Sequence, residues 1–170
     1  MLKTDMGDLL TLLVELHKVP LFRSLNQDEQ RMMAGAGQLL SCRKDRKIIS
    51  RGESDDAFFV VLSGSLNLTV RDDAGREILL GTVSEGDYFG EEAVFADAVR
   101  VWDATVVSEE ARLMRIARDG FLDFLRAYPA GGTKALLFML HKMLVKYGAG
   151  ATPDQSFFEQ QMEGLLRIIR

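Results

Sequence analysis

Gly86-Asp87-Tyr88-Phe89-Gly90-Glu91, with Arg100 nine residues beyond Glu91, is the stretch on which the reading of this chain turns. Gly90 has no side chain, so its backbone can come close to a ligand. A short helical turn starting here would leave the N–H groups of Glu91, Glu92 and Ala93 as outward-facing anion donors. Glu91 can accept a hydrogen bond from a hydroxyl, and Arg100 can fork two N–H groups onto phosphate oxygens. A small ligand carrying one phosphate and one sugar hydroxyl satisfies all of these together. Ordinary turn glycines beside a solvated Glu91/Arg100 pair fit the same letters.

Outward from that stretch, the chain changes character twice. Leu9, Leu12, Leu13 and Leu16 recur at helical spacing, which predicts an amphipathic helix over 5–18. Asn26 and Glu29 have capping-box spacing, so a second helix is expected to run to about Gly37. Short β-rich runs follow: Leu39–Arg43, Ile48–Ser50, Phe58–Leu62, Leu66–Val70, Ile78–Val83, Ala104–Val107 and Leu113–Ile116. Turn clusters separate them, and strands at this spacing point to a sandwich or jelly-roll barrel. Their acidic pairs, among them Asp55-Asp56 and Asp72-Asp73, read as solvated turn carboxylates. Beyond Arg118 the pattern is helical again. A short helix is expected over 119–127, a longer one over 133–147 with Leu136, Leu140, Met143 and Tyr147 on one stripe, and a last one over 154–170.

Composition narrows the function. The 170 residues are 47% hydrophobic and 27% charged, as in a globular protein with one core. A net charge of −4 argues against sequence-independent binding to nucleic acid. The single cysteine, Cys42, has no partner for an internal disulfide and reads as a small buried apolar residue. No apolar run approaches the ~20 residues that span a bilayer. A soluble, cytoplasmic protein with no membrane association is therefore expected. His17 and His141 stand on different predicted helices without metal-ligand spacing, no phosphate-loop Gly-Lys-Ser/Thr follows the glycines, and nothing pairs a nucleophile with a base. Neither enzyme activity, metal nor cofactor is expected.

The stretch resembles the phosphate-binding cassette of the cyclic-nucleotide-binding domain. That family includes catabolite-activator-type regulators, protein kinase A regulatory subunits and cyclic-nucleotide-gated channels. Val19-Pro20-Leu21-Phe22, Arg51-Gly52-Glu53 and Phe59-Val60-Val61-Leu62-Ser63-Gly64 fall in the family's order, and the resemblance runs from about Val19 to Tyr147. It implies an α+β fold: N-terminal helices, a β jelly-roll barrel of about eight strands, and C-terminal helices. The implied division is an N-terminal helix (1–18), a barrel with flanking helices (19–128) and C-terminal lid or dimerisation helices (129–170).

The resemblance also implies the ligand, cAMP or cGMP, and the roles around it. Gly90 and the turn amides up to Ala93 would hold the cyclic phosphate, Glu91 the ribose hydroxyl, and Arg100 the phosphate charge. Leu68, Leu80 and Val83 would line the sugar and base pocket. Tyr147, with Lys146 beside it, would close over the base. Two positions depart from the pattern. Glu92 replaces an apolar residue, and Val101-Trp102-Asp103 intervenes between Arg100 and Ala104-Thr105-Val106. Counting forward from Glu91 puts Arg100 at the phosphate; counting back from Ala104 puts Trp102 there instead. Val101 also lacks the hydroxyl some members use.

Only 148–170 remain where the family's regulators carry a helix-turn-helix. Residues 129–170 hold five Lys/Arg against three Asp/Glu, no basic reading face. The implied protein is a sensor without DNA binding, signalling through residues 133–170 to a second copy or a protein partner. The alternative is a degenerate docking module that binds no nucleotide.

Overall fold

The computed structural model describes residues 6–95 and 99–148. In chain order the elements are α1 (Met6–Leu16), α2 (Pro20–Arg23), α3 (Gln27–Gly35), β1 (Gly37–Arg43), β2 (Lys47–Ile49), β3 (Ala57–Ser63), β4 (Ser65–Arg71), β5 (Glu77–Ser84), β6 (Tyr88–Phe89), α4 (Glu92–Phe95), β7 (Asp103–Val106), β8 (Glu110–Ala117), α5 (Arg118–Ala127) and α6 (Pro129–Gly148). The strands form two four-stranded antiparallel sheets, ordered β1-β8-β3-β6 and β2-β7-β4-β5. This is the expected jelly roll, with helices at both ends.

Two apolar clusters hold it. Between the sheets lie Phe59, Val61, Leu66, Leu68, Val83, Phe89, Trp102, Val106 and Leu113. On the other face of the first sheet, Phe58, Val60, Leu62, Met114 and Ile116 meet Leu16, Phe22 and Met33 from the N-terminal helices and Phe121, Phe124, Met139 and Met143 from the C-terminal ones. β3 is therefore buried on both faces, which is why its sequence is a continuous apolar run rather than an alternating one. Cys42 is among the buried residues, and burial pushes its thiol pKa up.

The Asn26/Glu29 capping box is present, with both reciprocal hydrogen bonds formed. Three expectations need correction. The two-residue β6 and the four-residue α2 are too short for periodicity to reveal. α6 begins at Pro129 rather than 133, with Pro at its first position, although Gly131-Gly132 lowers helix propensity there. Both glycines leave room for close neighbours: a Cβ at Gly131 would fall 2.5 Å from the Glu29 carboxylate, and one at Gly132 would fall 2.6 Å from Leu125. Finally, Leu140 is exposed, and the core-facing row of α6 is Ala135, Met139 and Met143, flanked by half-buried Leu136. The expected helix over 154–170 lies outside the described residues.

Candidate functional site

β6 delivers the turn. Tyr88 and Phe89 pair with Val60 and Phe59 of β3, so the chain leaves the sheet at Gly90 with its direction fixed. Gly90 then adopts φ +82°, a conformation that side chains disfavour, and a Cβ there would sit 3.2 Å from Arg100 Nη1 and 3.3 Å from the Ala57 carbonyl. α4 follows as a single turn. The Ala93 N–H donates to the Gly90 carbonyl and the Val94 N–H to that of Glu91. Of the three amides expected to face a ligand, that of Ala93 is thus used inside the turn.

Arg100 lies against this turn and is 2% exposed. Its backbone is held from both sides: its N–H donates to the Glu53 carbonyl at 2.9 Å, and its carbonyl accepts from Gly52 at 2.8 Å. The guanidinium reaches four acceptors. Nη1 donates to the Gly90 carbonyl (3.0 Å) and to Glu92 Oε1 (3.1 Å); Nη2 donates to the Ala57 carbonyl and, more distantly, to Asp55 Oδ2 (3.4 Å). Arg115 Nη2 holds the other oxygen of Asp55 at 2.8 Å and also reaches Asp56 at 3.2 Å. Glu91 is 1% exposed, and its Oε2 has no hydrogen-bond partner among the described residues; neither has Arg100 Nε. A buried carboxylate oxygen left without a donor is costly unless something completes it.

The remaining expected residues divide. Ala93, Leu68 and Val83 are buried, the last two between the sheets. Leu80 does not join them. The register slips between Leu68↔Gly81 and Thr69↔Leu79, so Leu80 is the bulged residue and is 49% exposed. Val101 is exposed as well. Of the two registers, the geometry brings Arg100 to the Gly90 turn. Trp102 instead enters the barrel interior, its ring 6.4 Å from that of Phe89. Lys146 and Tyr147 fall in the last turn of α6, and their side chains lie outside the described residues.

Sequence reasoning missed Asp55, Arg115 and the Ala57 carbonyl. Asp55 had been assigned to solvent, yet it bridges two arginines; its only sequence signal is its place just before the apolar run of β3. Tyr88 was also missed. Its hydroxyl donates to the Phe138 carbonyl of α6 at 3.1 Å, and Lys142 of α6 sits 3.9 Å above its ring and donates to its carbonyl. Burial, helped by the charges of Glu91 and Asp87, pushes the Tyr88 pKa far up, so the hydroxyl stays a donor at neutral pH. Among the described residues no group of His, Cys, Asp and Glu is arranged to hold a metal ion, and no helix is long and apolar enough to cross a membrane.

Comparison with known proteins follows this geometry. The model of the cyclic nucleotide-binding domain family matches residues 39–128. The chain is 32% identical over 107 residues to a cAMP-dependent protein kinase regulatory subunit of Yarrowia lipolytica, covering 62% of this chain and 27% of that protein. It is 29% identical over 108 residues to a cGMP-dependent protein kinase, isozyme 1, of Drosophila melanogaster, covering 62% and 14%. The regulatory domain of Toxoplasma gondii PKA, solved with cAMP, superposes with a TM-score of 0.64 at 30% identity over 72% of this chain and 46% of that one. The chain thus spans less than a third of the two kinase relatives and under half of the solved domain.

Proposed function

Because the chain belongs to the cyclic nucleotide-binding domain family, we propose that it is a cytoplasmic cyclic mononucleotide sensor that responds to cAMP or cGMP and signals through its C-terminal helices. One observation carries the reading. Glu91 is buried with an oxygen that lacks a donor among the described residues, directly after the Gly90 turn against which Arg100 lies. A ribose hydroxyl is a donor of the right kind for that oxygen, and the cyclic phosphate is the anion Arg100 suits. The relatives include regulatory subunits of cAMP-dependent protein kinases and cGMP-dependent protein kinases, so they favour neither base.

The output surface we assign to the 133–170 segment. Within its described part, Leu137, Leu144 and Val145 are each about half exposed or more, an apolar stripe suited to a second copy or a protein partner. The division into an N-terminal helix, barrel and C-terminal signalling helices follows from that assignment, and the role is regulatory rather than catalytic, without DNA or membrane binding.

Calorimetric titration with cAMP, cGMP and their 2′-deoxy analogues tests the reading. Wild type should bind at least one parent nucleotide. Glu91→Ala should lose ten- to a hundredfold in affinity, the ~1.5–3 kcal/mol of a charge-assisted hydrogen bond. The 2′-deoxy analogue should lose as much on wild type and nothing further on Glu91→Ala. Absence of binding at millimolar nucleotide would leave the degenerate docking module. The observation favouring that second reading is the occupation of both Arg100 Nη groups by Glu92, Asp55 and two carbonyls.

A further inference from the structure

We infer that Arg115 keeps Arg100 available to the ligand's phosphate by drawing Asp55 away from it, so that a residue of β8, outside the Gly90 turn, sets the affinity for nucleotide. The inference rests on the sensor reading above and concerns the regulation of that same site. Asp55 is shared between two arginines, and unequally. Its Oδ1 accepts from Arg115 Nη2 at 2.8 Å, whereas its Oδ2 reaches Arg100 Nη2 only at 3.4 Å. The first distance is that of a full charge-assisted hydrogen bond, and the second is at the outer limit of one.

Burial makes that imbalance matter. The Arg100 side chain is 1% exposed, against 26% for Asp55 and 30% for Arg115. A carboxylate is held more strongly by a guanidinium shielded from water than by one at the surface. Arg100 cannot retreat, because Gly52 and Glu53 fix its backbone and the Ala57 carbonyl takes its Nη2. Left to itself, Asp55 would therefore close on Arg100 and meet an incoming phosphate as a like charge.

Arg115 holds Asp55 on the opposite side, and the sheet dictates where it stands. β8 pairs with β3 in the register Phe59↔Arg115 and Ala57↔Ala117, which puts Arg115 beside the start of β3. Asp55 and Asp56 immediately precede that strand. The same Arg115 Nη2 also takes Asp56 Oδ1 at 3.2 Å, so both acidic residues of the turn are drawn toward β8. Arg115 thus acts on the phosphate site through Asp55, as a positioning residue, and its pull on one carboxylate governs how much of the Arg100 charge is left for a ligand.

A double-mutant cycle on nucleotide affinity tests this. Calorimetry with cAMP and cGMP is run on wild type, Arg115→Met, Asp55→Asn and the double variant, with Arg115→Gln in place of Arg115→Met should that protein fail to fold. Arg115→Met should bind about tenfold more weakly than wild type. Asp55→Asn should raise affinity by a much larger factor on Arg115→Met than on wild type, returning the double variant to near the wild-type value. A merely structural Arg115, or one acting only as a distant charge, would instead give effects that add. Equal affinities of wild type and Arg115→Met, or an Asp55→Asn factor that is the same on both backgrounds, overturns the inference and leaves the sensor reading standing. No cyclic nucleotide binding by any of the four proteins overturns both.

Discussion

From one face of β3, Phe59 and Val61 enter the interior between the sheets, where Phe59 stacks on Phe89 with ring centroids 5.3 Å apart. At the first residue of the same strand, Ala57 offers its carbonyl to Arg100, and Asp55 two residues earlier offers a carboxylate. The two regions are built on one strand yet behave differently when altered. In the interior each side chain contributes mostly through its own apolar area, and truncation leaves a cavity whose size sets the loss. In the Arg100 cluster, charges are tolerable only in company, so removing one group raises the cost of those left behind. Energy is local in the first region and shared in the second.

That contrast breaks most visibly under paired substitution. Phe59→Ala should cost about 3–5 kcal/mol and Arg100→Met a similar ~3–5 kcal/mol. Adding Glu92→Leu should restore part of the second loss, because one of the buried carboxylates that faced Arg100 is gone, whereas the same change added to Phe59→Ala should rescue nothing. Urea unfolding of the singles and doubles measures this. A double variant no more stable than Arg100→Met alone would mean the cluster is not energetically shared.

A smaller effect sharpens the boundary between the regions. Tyr88 shares its cluster with the helices, and its hydroxyl donates to the Phe138 carbonyl. Tyr88→Phe keeps the ring and should lose only about 0.5–1.5 kcal/mol in thermal or urea unfolding. A loss as large as that of Arg100→Met would place Tyr88 with the shared network rather than with the core.

The smallest effect concerns Asp103 at the start of β7. Its carboxylate accepts from the Arg51 N–H at 2.9 Å and pairs with Lys47 at 3.1 Å. Burial alone would raise its pKa, but those partners outweigh burial and hold it below the usual value. With the folded pKa below the unfolded one, the ion's contribution is fully present above the ordinary Asp value of about 3.9. It is lost as the pH falls through the depressed folded value. Wild type should therefore exceed Asp103→Asn in stability at pH 7, and the gap should close on acidification below about pH 4. A gap independent of pH would assign the effect to packing.

The same contrast explains what could be read from the chain beforehand. The jelly roll was legible because its interior is written locally: the run Ala57–Leu62 and the alternating strands around it need no knowledge of their partners. The capping box at Asn26 and Glu29 was legible for the same reason, since both halves lie within one turn. Gly90, Glu91 and Arg100 stood out by type and spacing. Asp55 did not, because Arg115 and Arg100 reach it from remote strands and loops, and beside Asp56 it looks like any acidic turn. On α6 the apolar residues are dense enough that several stripes fit. Gly132 and Ala135, which pass close to α5 and the core, select the face carrying Met139 over the one carrying Leu140.

The pairing of β1 with β8 joins Gly37 to Ile116 and Arg43 to Glu110, so the barrel's first strand is completed by its last. Hairpins such as β4–β5 can close as soon as they are made, but β1 cannot. At a synthesis rate of about 5–20 residues per second, β1 waits roughly 4–16 s on the ribosome for the strand that covers it. During that interval its backbone N–H and C=O groups form an open edge, the kind of edge that recruits other chains. The pairing that covers β1 in the finished fold is therefore also the one whose delay leaves the growing chain open to misassembly.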